Sequence, residues 1–524
     1  MKEKSKFDRL DYVGIASGIL LVIFIIITIT VGNMTKQAGV ANSAVPDDAI
    51  TLTGTAQGRN GEITVKVVAT ENTIYQIKVT DNKETKNIGS IAVNQLPQDI
   101  YDAQNINVDD VSGATISSQA IKTAINNALS SGGINPELFG GTRVVVNNVA
   151  NKVETGSKIT VMTASQWAET YPEIYESYLK NSENSETTDY VEDYPMIATL
   201  YNNYGFSKYY SSARGHFYDI TDVTETGRPH ALANCFTCKT PDFTAMVNEQ
   251  GDSAYSLSFE DVQAEINEGI SCYNCHANTP GEVTVTHSYL TNGVGEDFDN
   301  IDAADLACGQ CHVEYYFDPT TKATTLPHDS IDSMSPDAIL EYYNNMDVDG
   351  ENFADYTNPD TGVRQIKVQH PEFETYLGEG SQHRSTYTCA DCHMAEETSE
   401  DGTTYKSHNL TSPLDNKDLI ANECSTCHED LVSEVKELQA DVEDRTNEVG
   451  EKLVDLTNKL ADAVSSGKYT EEELDEIRAV ARNAQFYWDF VFVENSNGAH
   501  NPTLTYQCLD KADELTEQAL AMIK

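Results

Sequence analysis

Five segments share the pattern Cys-x-x-Cys followed by a residue able to ligate a metal: CFTCK at 235–239, CYNCH at 272–276, CGQCH at 308–312, CADCH at 389–393 and CSTCH at 424–428. Two cysteines three positions apart can form thioethers with the two vinyl groups of haem, and the next side chain can then turn onto the iron. Zinc is the competing chemistry, since it takes four nitrogen or sulfur donors. Each segment closes within five residues and four end in His, an arrangement that fits c-type haem and disfavours zinc. The covalent sites are then Cys235, Cys238, Cys272, Cys275, Cys308, Cys311, Cys389, Cys392, Cys424 and Cys427, leaving Cys508 as a buried thiol.

A six-coordinate haem needs a second axial ligand. Of the twelve histidines, His276, His312, His393 and His428 follow their cysteines directly, and His216, His230, His287, His328, His370, His383, His408 and His500 remain to supply the partners. Lys239 stands where the other motifs have histidine. An ammonium cannot ligate, so a lysine at iron must be desolvated and deprotonated, a cost that marks a reactive haem with an open face rather than an electron wire.

Distinct elements must hold these residues. From about residue 160 onward the chain leans helical with many loops, and all five motifs lie there. Apolar residues at 435, 438, 442, 449, 453, 456, 460 and 463 form a heptad-like seam on a long helix, interrupted at Arg445; it can serve packing within the chain or a dimer contact. Upstream, ITVKVVA (63–69) and IYQIKVT (74–80) alternate as strands beside the hairpin signal Asn60-Gly61. The stretch DDVSGATISSQAIKTAINNAL (109–129) changes to helical spacing, with Ile121, Ile125, Ala128 and Leu129 on one face and Ser117 or Ser118 placed to cap it.

Residues 13–31, VGIASGILLVIFIIITITV, are uncharged and long enough to cross a bilayer, with Lys2, Lys4, Lys6 and Arg9 before them. The positive-inside rule then leaves the N-terminus in the cytoplasm and the remainder outside, where c-type haem is attached. A cleaved signal peptide is the other reading, but the run exceeds the about 7–15 residues of an ordinary apolar region and no clear cleavage site follows closely. With 34 basic against 83 acidic residues and a net charge of −49, nucleic acid is excluded as a partner.

The order SSARGHFYDITDVTET (211–226), CFTCK, CYNCH, CGQCHVEYYF, KVQHPEFE, CADCHM, CSTCH, GAHNP resembles the pentahaem, ammonia-forming cytochrome c nitrite reductases over about residues 160–524. The resemblance implies that Lys239 ligates the catalytic haem, with Arg228, Tyr315 and His370 lining its open face around nitrite. It implies His216, His408, His500 and His383 as distal ligands of the CGQCH, CYNCH, CADCH and CSTCH haems, and a calcium site from Glu314, Tyr315, Lys367 and Gln369. It further implies a homodimer formed through the C-terminal helices.

The segment Asp109-Asp110-Val111-Ser112-Gly113-Ala114-Thr115 fits D-x-x-S-G-A-T and resembles the acceptor motif of FMN-binding domains of sodium pumps and extracellular reductases. That resemblance implies FMN joined through its phosphate to Thr115 by a flavin transferase, with Asp109, Ser112, Gly113 and Ala114 shaping the site. Small residues before a helix start permit close approach of a phosphate.

The expected protein is multidomain: a basic cytoplasmic tail (1–12), a transmembrane helix (13–32), a tether (33–48), a small α+β FMN-binding domain (49–132), a linker (133–159) and a mainly α multihaem cytochrome c domain with long C-terminal helices (160–524). Its cofactors would be five c-type haems, covalent FMN and calcium, the haems installed by haem maturation machinery. It would lie in the cytoplasmic membrane as a single-pass protein facing the periplasm or cell surface. A quinol- or flavin-linked donor would supply electrons for nitrite reduction. Reduction of hydroxylamine, sulfite or another oxyanion, and a non-catalytic extracellular electron conduit, are the alternatives.

Overall fold

A computed structural model describes residues 45–524 apart from 47–48, 71, 87–88, 109, 112–113, 132–133, 135, 141–148, 210–213, 226, 228–231, 385 and 400–401. The expected membrane span, 13–32, lies outside the described residues; among those described, no helix is long and apolar enough to cross a membrane. The chain divides into two compact units between Val144 and Val145.

In the first unit, strands β1 (Ile50–Gly58), β2 (Gly61–Thr70) and β3 (Thr73–Asp81) form an antiparallel meander in that order. Gly58 pairs with Gly61 across the two-residue turn Arg59-Asn60, where Gly61 takes a φ of +139° that a side chain would resist. Alternation in β2 places Ile63, Val65, Val67 and Ala69 on one buried face. Helix α1 (Gly89–Ala103) follows, and α2 (Thr115–Ser131) buries Ile121, Ala124, Ile125, Ala128 and Leu129 in the same core as that face. Gly54 permits the approach of α2 to β1: a Cβ there would stand 2.2 Å from the Ala124 carbonyl oxygen.

Two features of this unit differ from expectation. Helix α2 starts at Thr115, so Ser117 and Ser118 are buried first-turn residues rather than caps. Helix α1 is hidden in the sequence because Pro97 interrupts its pattern; Ala92, Leu96 and Ile100 nevertheless recur every four residues on its buried face. The expected linker, 133–159, is folded in at both ends. Ile134 and Phe139 join the first unit's core. Strand β4 (Asn151–Lys152) pairs in parallel with β5 (Thr284–Val285) of the second unit.

The second unit is mainly helical with short ladders of two or three residues. Its site-bearing helices are α3 (Pro241–Gln250), α4 (Cys272–His276), α5 (Ala303–Gly309) and α6 (Cys389–His393). Its frame is made by α7 (Leu431–Ser466), α8 (Glu471–Phe492) and α9 (Pro502–Met522). Each boundary has a local cause: Gly467 ends α7 in the left-handed region at φ 63°, Thr470 and Glu473 form a capping box for α8, and Asn501 caps α9 ahead of Pro502.

The seam of α7 is consumed inside the chain. Val442, Val449, Leu453, Leu456, Leu460 and Ala463 are buried in one core with Trp488, Phe490 and Leu509 of α8 and α9, whereas Leu438 is only partly buried against it. Gly450 leaves room for the Trp488 indole, whose Nε1 donates to the Thr446 carbonyl at 2.8 Å. Arg445, the break in the seam, pairs with Asp513 at 2.7 Å. A dimer contact would therefore have to use another face of these helices.

Candidate functional site

Four of the five cysteine motifs close as helical turns. CYNCH and CADCH are α4 and α6 themselves, the His312 amide donates to the Cys308 carbonyl at 3.0 Å, and the His428 amide to the Cys424 carbonyl at 2.9 Å. CFTCK departs from this: the Lys239 amide reaches back only three residues, to Phe236 O at 3.0 Å, and Cys238 adopts a φ of +64°. A non-glycine residue in that region is uncommon and carries a backbone cost. The lysine is thus presented by a differently folded turn, braced from behind by Thr240, which caps α3 by accepting from the Asp242 amide at 3.2 Å.

Each proximal histidine faces another from a distant part of the chain. Ring centres are separated by 5.7 Å for His216 and His312, and by 6.2 Å for His276 with His408, His393 with His500 and His428 with His383. A metal about 2 Å from the facing nitrogen of each imidazole holds two ring centres about 6 Å apart, so the spacing fits an iron between each pair.

Tautomer control points the same way. The Nδ1 atoms of His276, His393 and His408 contact the carbonyls of Glu282, Thr411 and Lys406 at 2.9, 3.0 and 3.1 Å, and those of His428 and His500 contact Glu434 and Glu494 carboxylates at 2.8 and 2.6 Å. A proton held at Nδ1 leaves Nε2 as the ligating atom. Burial pulls the pKa of His216 down to about 4 and keeps it neutral.

The cysteines order the motifs in space. Cys238 Sγ lies within 4.8 Å of Cys311 Sγ, the Cys389 amide donates to Asp305 of α5 at 2.8 Å, and Cys392 is close enough to Cys424 for the ionisation of its thiol to be affected. CFTCK, CGQCH, CADCH and CSTCH therefore form a row. CYNCH joins as a branch, because Cys275 is within reach of Cys308.

At the end of that row, Tyr315 packs in the same apolar cluster as Cys238. Arg228 lies outside the described residues. His370 is exposed, with its ring 6.1 Å from that of His312. Between the two rings sits Glu372, which no sequence motif singled out although it is two positions from His370. Its oxygens lie 3.8 Å from His312 Nδ1 and 3.9 Å from His370 Nδ1. Burial would raise its pKa, but the two imidazoles hold it well below the usual carboxylate range.

Three of the candidate calcium residues, Glu314, Lys367 and Gln369, converge. Glu314 is fully buried, accepting from Tyr343 OH at 2.8 Å and from the Gln369 amide at 2.6 Å, while Gln369 Nε2 reaches the Lys367 carbonyl at 2.8 Å. Burial pushes the Glu314 carboxyl well above its ordinary pKa, and among the described residues no cationic side chain pairs with it. A buried carboxylate beside carbonyl oxygens fits a hard cation. The Lys367 ammonium turns instead to Asp489, 3.4 Å away.

In the first unit, Thr115 is the first residue of α2 and Ala114 is buried just before it; Asp109, Ser112 and Gly113 lie outside the described residues. The acceptor loop is tied to its helix, since Lys122 Nζ bonds Asp110 at 2.6 Å and the Val108 carbonyl at 2.5 Å, and the Val111 amide donates to Ser118 Oγ at 3.0 Å. Glu84, also unmarked by any sequence pattern, is buried against this first turn, accepting from Ser117 Oγ and from the Asn60 amide at 3.2 Å.

A row of CxxC turns backed by facing histidine pairs defines a multihaem c-type cytochrome, here joined to a small strand–helix unit. The chain belongs to the cytochrome c552 family, whose model matches residues 163–524, and an FMN-binding domain model matches residues 58–130. It is similar to the cytochrome c nitrite reductase of Desulfovibrio desulfuricans, a catalytic subunit described with two calcium sites, at 28% identity over 69% of this chain and 86% of that one, with a TM-score of 0.62. Weaker likenesses are to the outer cell wall cytochrome OcwA (20% identity, 58% of this chain, 48% of that one, TM-score 0.32) and to an undecahaem cytochrome from the S-layer of Carboxydothermus ferrireducens (17%, 59%, 40%, 0.30).

Proposed function

We propose that the chain is an extracytoplasmic reductase, anchored by residues 13–32, that reduces nitrite to ammonia in a six-electron reaction at the CFTCK motif and receives electrons through covalent FMN on Thr115. The observation that carries this reading is the singular CFTCK turn at the end of a row of histidine-paired motifs. The 28% identity to a nitrite reductase supports the choice of substrate.

When bound, the CFTCK haem supplies an open coordination position and electrons. The protein's own groups do the rest. Glu372, with a carboxylate oxygen 3.9 Å from Nδ1 of His370, favours a proton on that side of the ring and so leaves the other nitrogen towards substrate oxygens. Arg228 contributes a fixed cation and Tyr315 positions intermediates beside them. A chain of net charge −49 repels nitrite at long range, so these groups and a calcium held by Glu314, Tyr315, Lys367 and Gln369 create the local positive potential an anion needs. The remaining four motifs relay electrons, and homodimerisation, a quinol- or flavin-linked donor, a flavin transferase and haem maturation machinery complete the reading.

Purified holoprotein given a reduced viologen dye should oxidise it on addition of nitrite and yield ammonium as the nitrogen product. Turnover with sulfite but not nitrite would move the substrate assignment. No turnover with any of these oxyanions, with every iron spectroscopically saturated by protein ligands, would make the chain a conduit.

A further inference from the structure

Haem attachment leaves a polar cluster unexplained where CFTCK, CGQCH and CYNCH meet. Gln310, fully buried within CGQCH, donates from Nε2 to the Asn274 carbonyl at 2.8 Å and comes within 4.0 Å of Cys275 Sγ. The Tyr289 hydroxyl donates to the Gln310 carbonyl at 2.5 Å and stands 3.1 Å from Cys238 Sγ. His287 stacks on Tyr289 with ring centres 5.1 Å apart. It is buried, its Nε2 has no hydrogen-bond partner among the described residues, and a ring nitrogen lies within 4.8 Å of both Cys238 Sγ and Cys311 Sγ.

A buried polar nitrogen without a partner costs stability, so its location asks for an account. With haem attached, both sulfurs are thioethers without proton or charge, so they offer a metal no thiolate and His287 no S–H donor. The Tyr289 proton is committed to the shorter contact with Gln310. The imidazole N–H is then the donor left to face the sulfur-bearing edges.

We propose that His287, stacked on the ring whose hydroxyl stands 3.1 Å from Cys238 Sγ, donates towards the Cys238 sulfur and holds the reduction potential of the CFTCK haem up, favouring the reactive end over the branch point. The inference rests on the haem assignment above. A donor at a cofactor's edge stabilises the electron-richer, reduced state, so its loss lowers the potential.

The test uses full-length holoprotein with His287→Leu, His287→Gln and Tyr289→Phe, reading haem number by intact mass and, by spectroelectrochemical titration, the midpoint of the haem whose spectrum responds to nitrite. His287→Leu should keep five haems and lower that midpoint more than the others. His287→Gln, which restores an N–H, should recover most of the shift, and Tyr289→Phe should produce a smaller one. An unmoved midpoint, or an equal shift at all haems, overturns the inference. Should His287→Leu fail to mature, His287→Asn, too short to reach the sulfurs, takes its place with the same expected drop, and no drop is again decisive. A wild-type protein without a nitrite-responsive haem would sink the functional reading itself. A nitrite-responsive haem with an unmoved midpoint sinks only the role of His287.

Discussion

Lys239 differs from its four counterparts in backbone as well as side chain, because Cys238 turns left-handed just before it. The motif therefore presents a longer side chain from a different starting direction. A second residue of consequence is Glu372, whose oxygens lie 3.8 Å from Nδ1 of His312 and 3.9 Å from Nδ1 of the exposed His370. Glu372→Gln keeps the size and removes the charge that orients both rings. Nitrite turnover should fall about 10- to 100-fold, the range for partners of metal-site histidines, with haem content unchanged; full activity would show that the rings need no such partner. Cys508 behaves oppositely, since burial pushes its thiol from 9.0 up to about 12. The unfolded thiol ionises first, so unfolding releases a proton between these values and this group's contribution to stability falls as pH rises from 9 towards 12, by at most about 1.4 kcal/mol per pH unit. Cys508→Ala should flatten that part of the stability profile, measured by denaturant unfolding.

Among the elements, α7 shows how one pattern can serve two ends. Its apolar spacing suits an intermolecular seam, yet Leu453 and Leu456 are buried against the chain's own α8 and α9. Leu453→Ala should cost about 2–5 kcal/mol of stability, from lost transfer energy and an unfilled cavity. Sedimentation of the variant at native conditions should match the wild type, and selective dissociation of a dimer would contradict the packing described. In the first unit, α2 and its loop act together: Lys122, Ser118 and Glu84 all anchor the turn that starts at Thr115. Thr115→Ala should remove one covalent FMN from the intact mass while leaving haem absorption intact, and flavin retained through denaturation would refute attachment there.

For the molecule as a unit, the count of thiols tests the count of haems. Ten of the eleven cysteines lie in CxxC pairs, so a chain with every pair haem-bound exposes a single titratable thiol after denaturation, that of Cys508. Each pair left without haem adds two. Three titratable thiols would mean four haems. The cysteine contacts also give the molecule a direction: a row from CSTCH through CADCH and CGQCH to CFTCK, with CYNCH entering at CGQCH.

Chemistry that is written locally was legible in the chain before any fold. Five CxxC segments, a lysine in one, β-strand alternation at 63–69 and a helix after SGAT all depend on residues a few positions apart. The expected distal ligands could be named through the family resemblance, but no spacing rule reaches them, because His408 and His276, or His216 and His312, meet only when distant segments close on one another. Folding settled the order of the motifs, the use of the α7 seam, the place of Glu372 between two imidazoles and the gathering of His287, Tyr289 and Gln310 at a three-way crossing. Periodicity says which face of an element is apolar. Which surface covers that face, and which polar atoms are trapped beneath it, is set by packing across the whole chain.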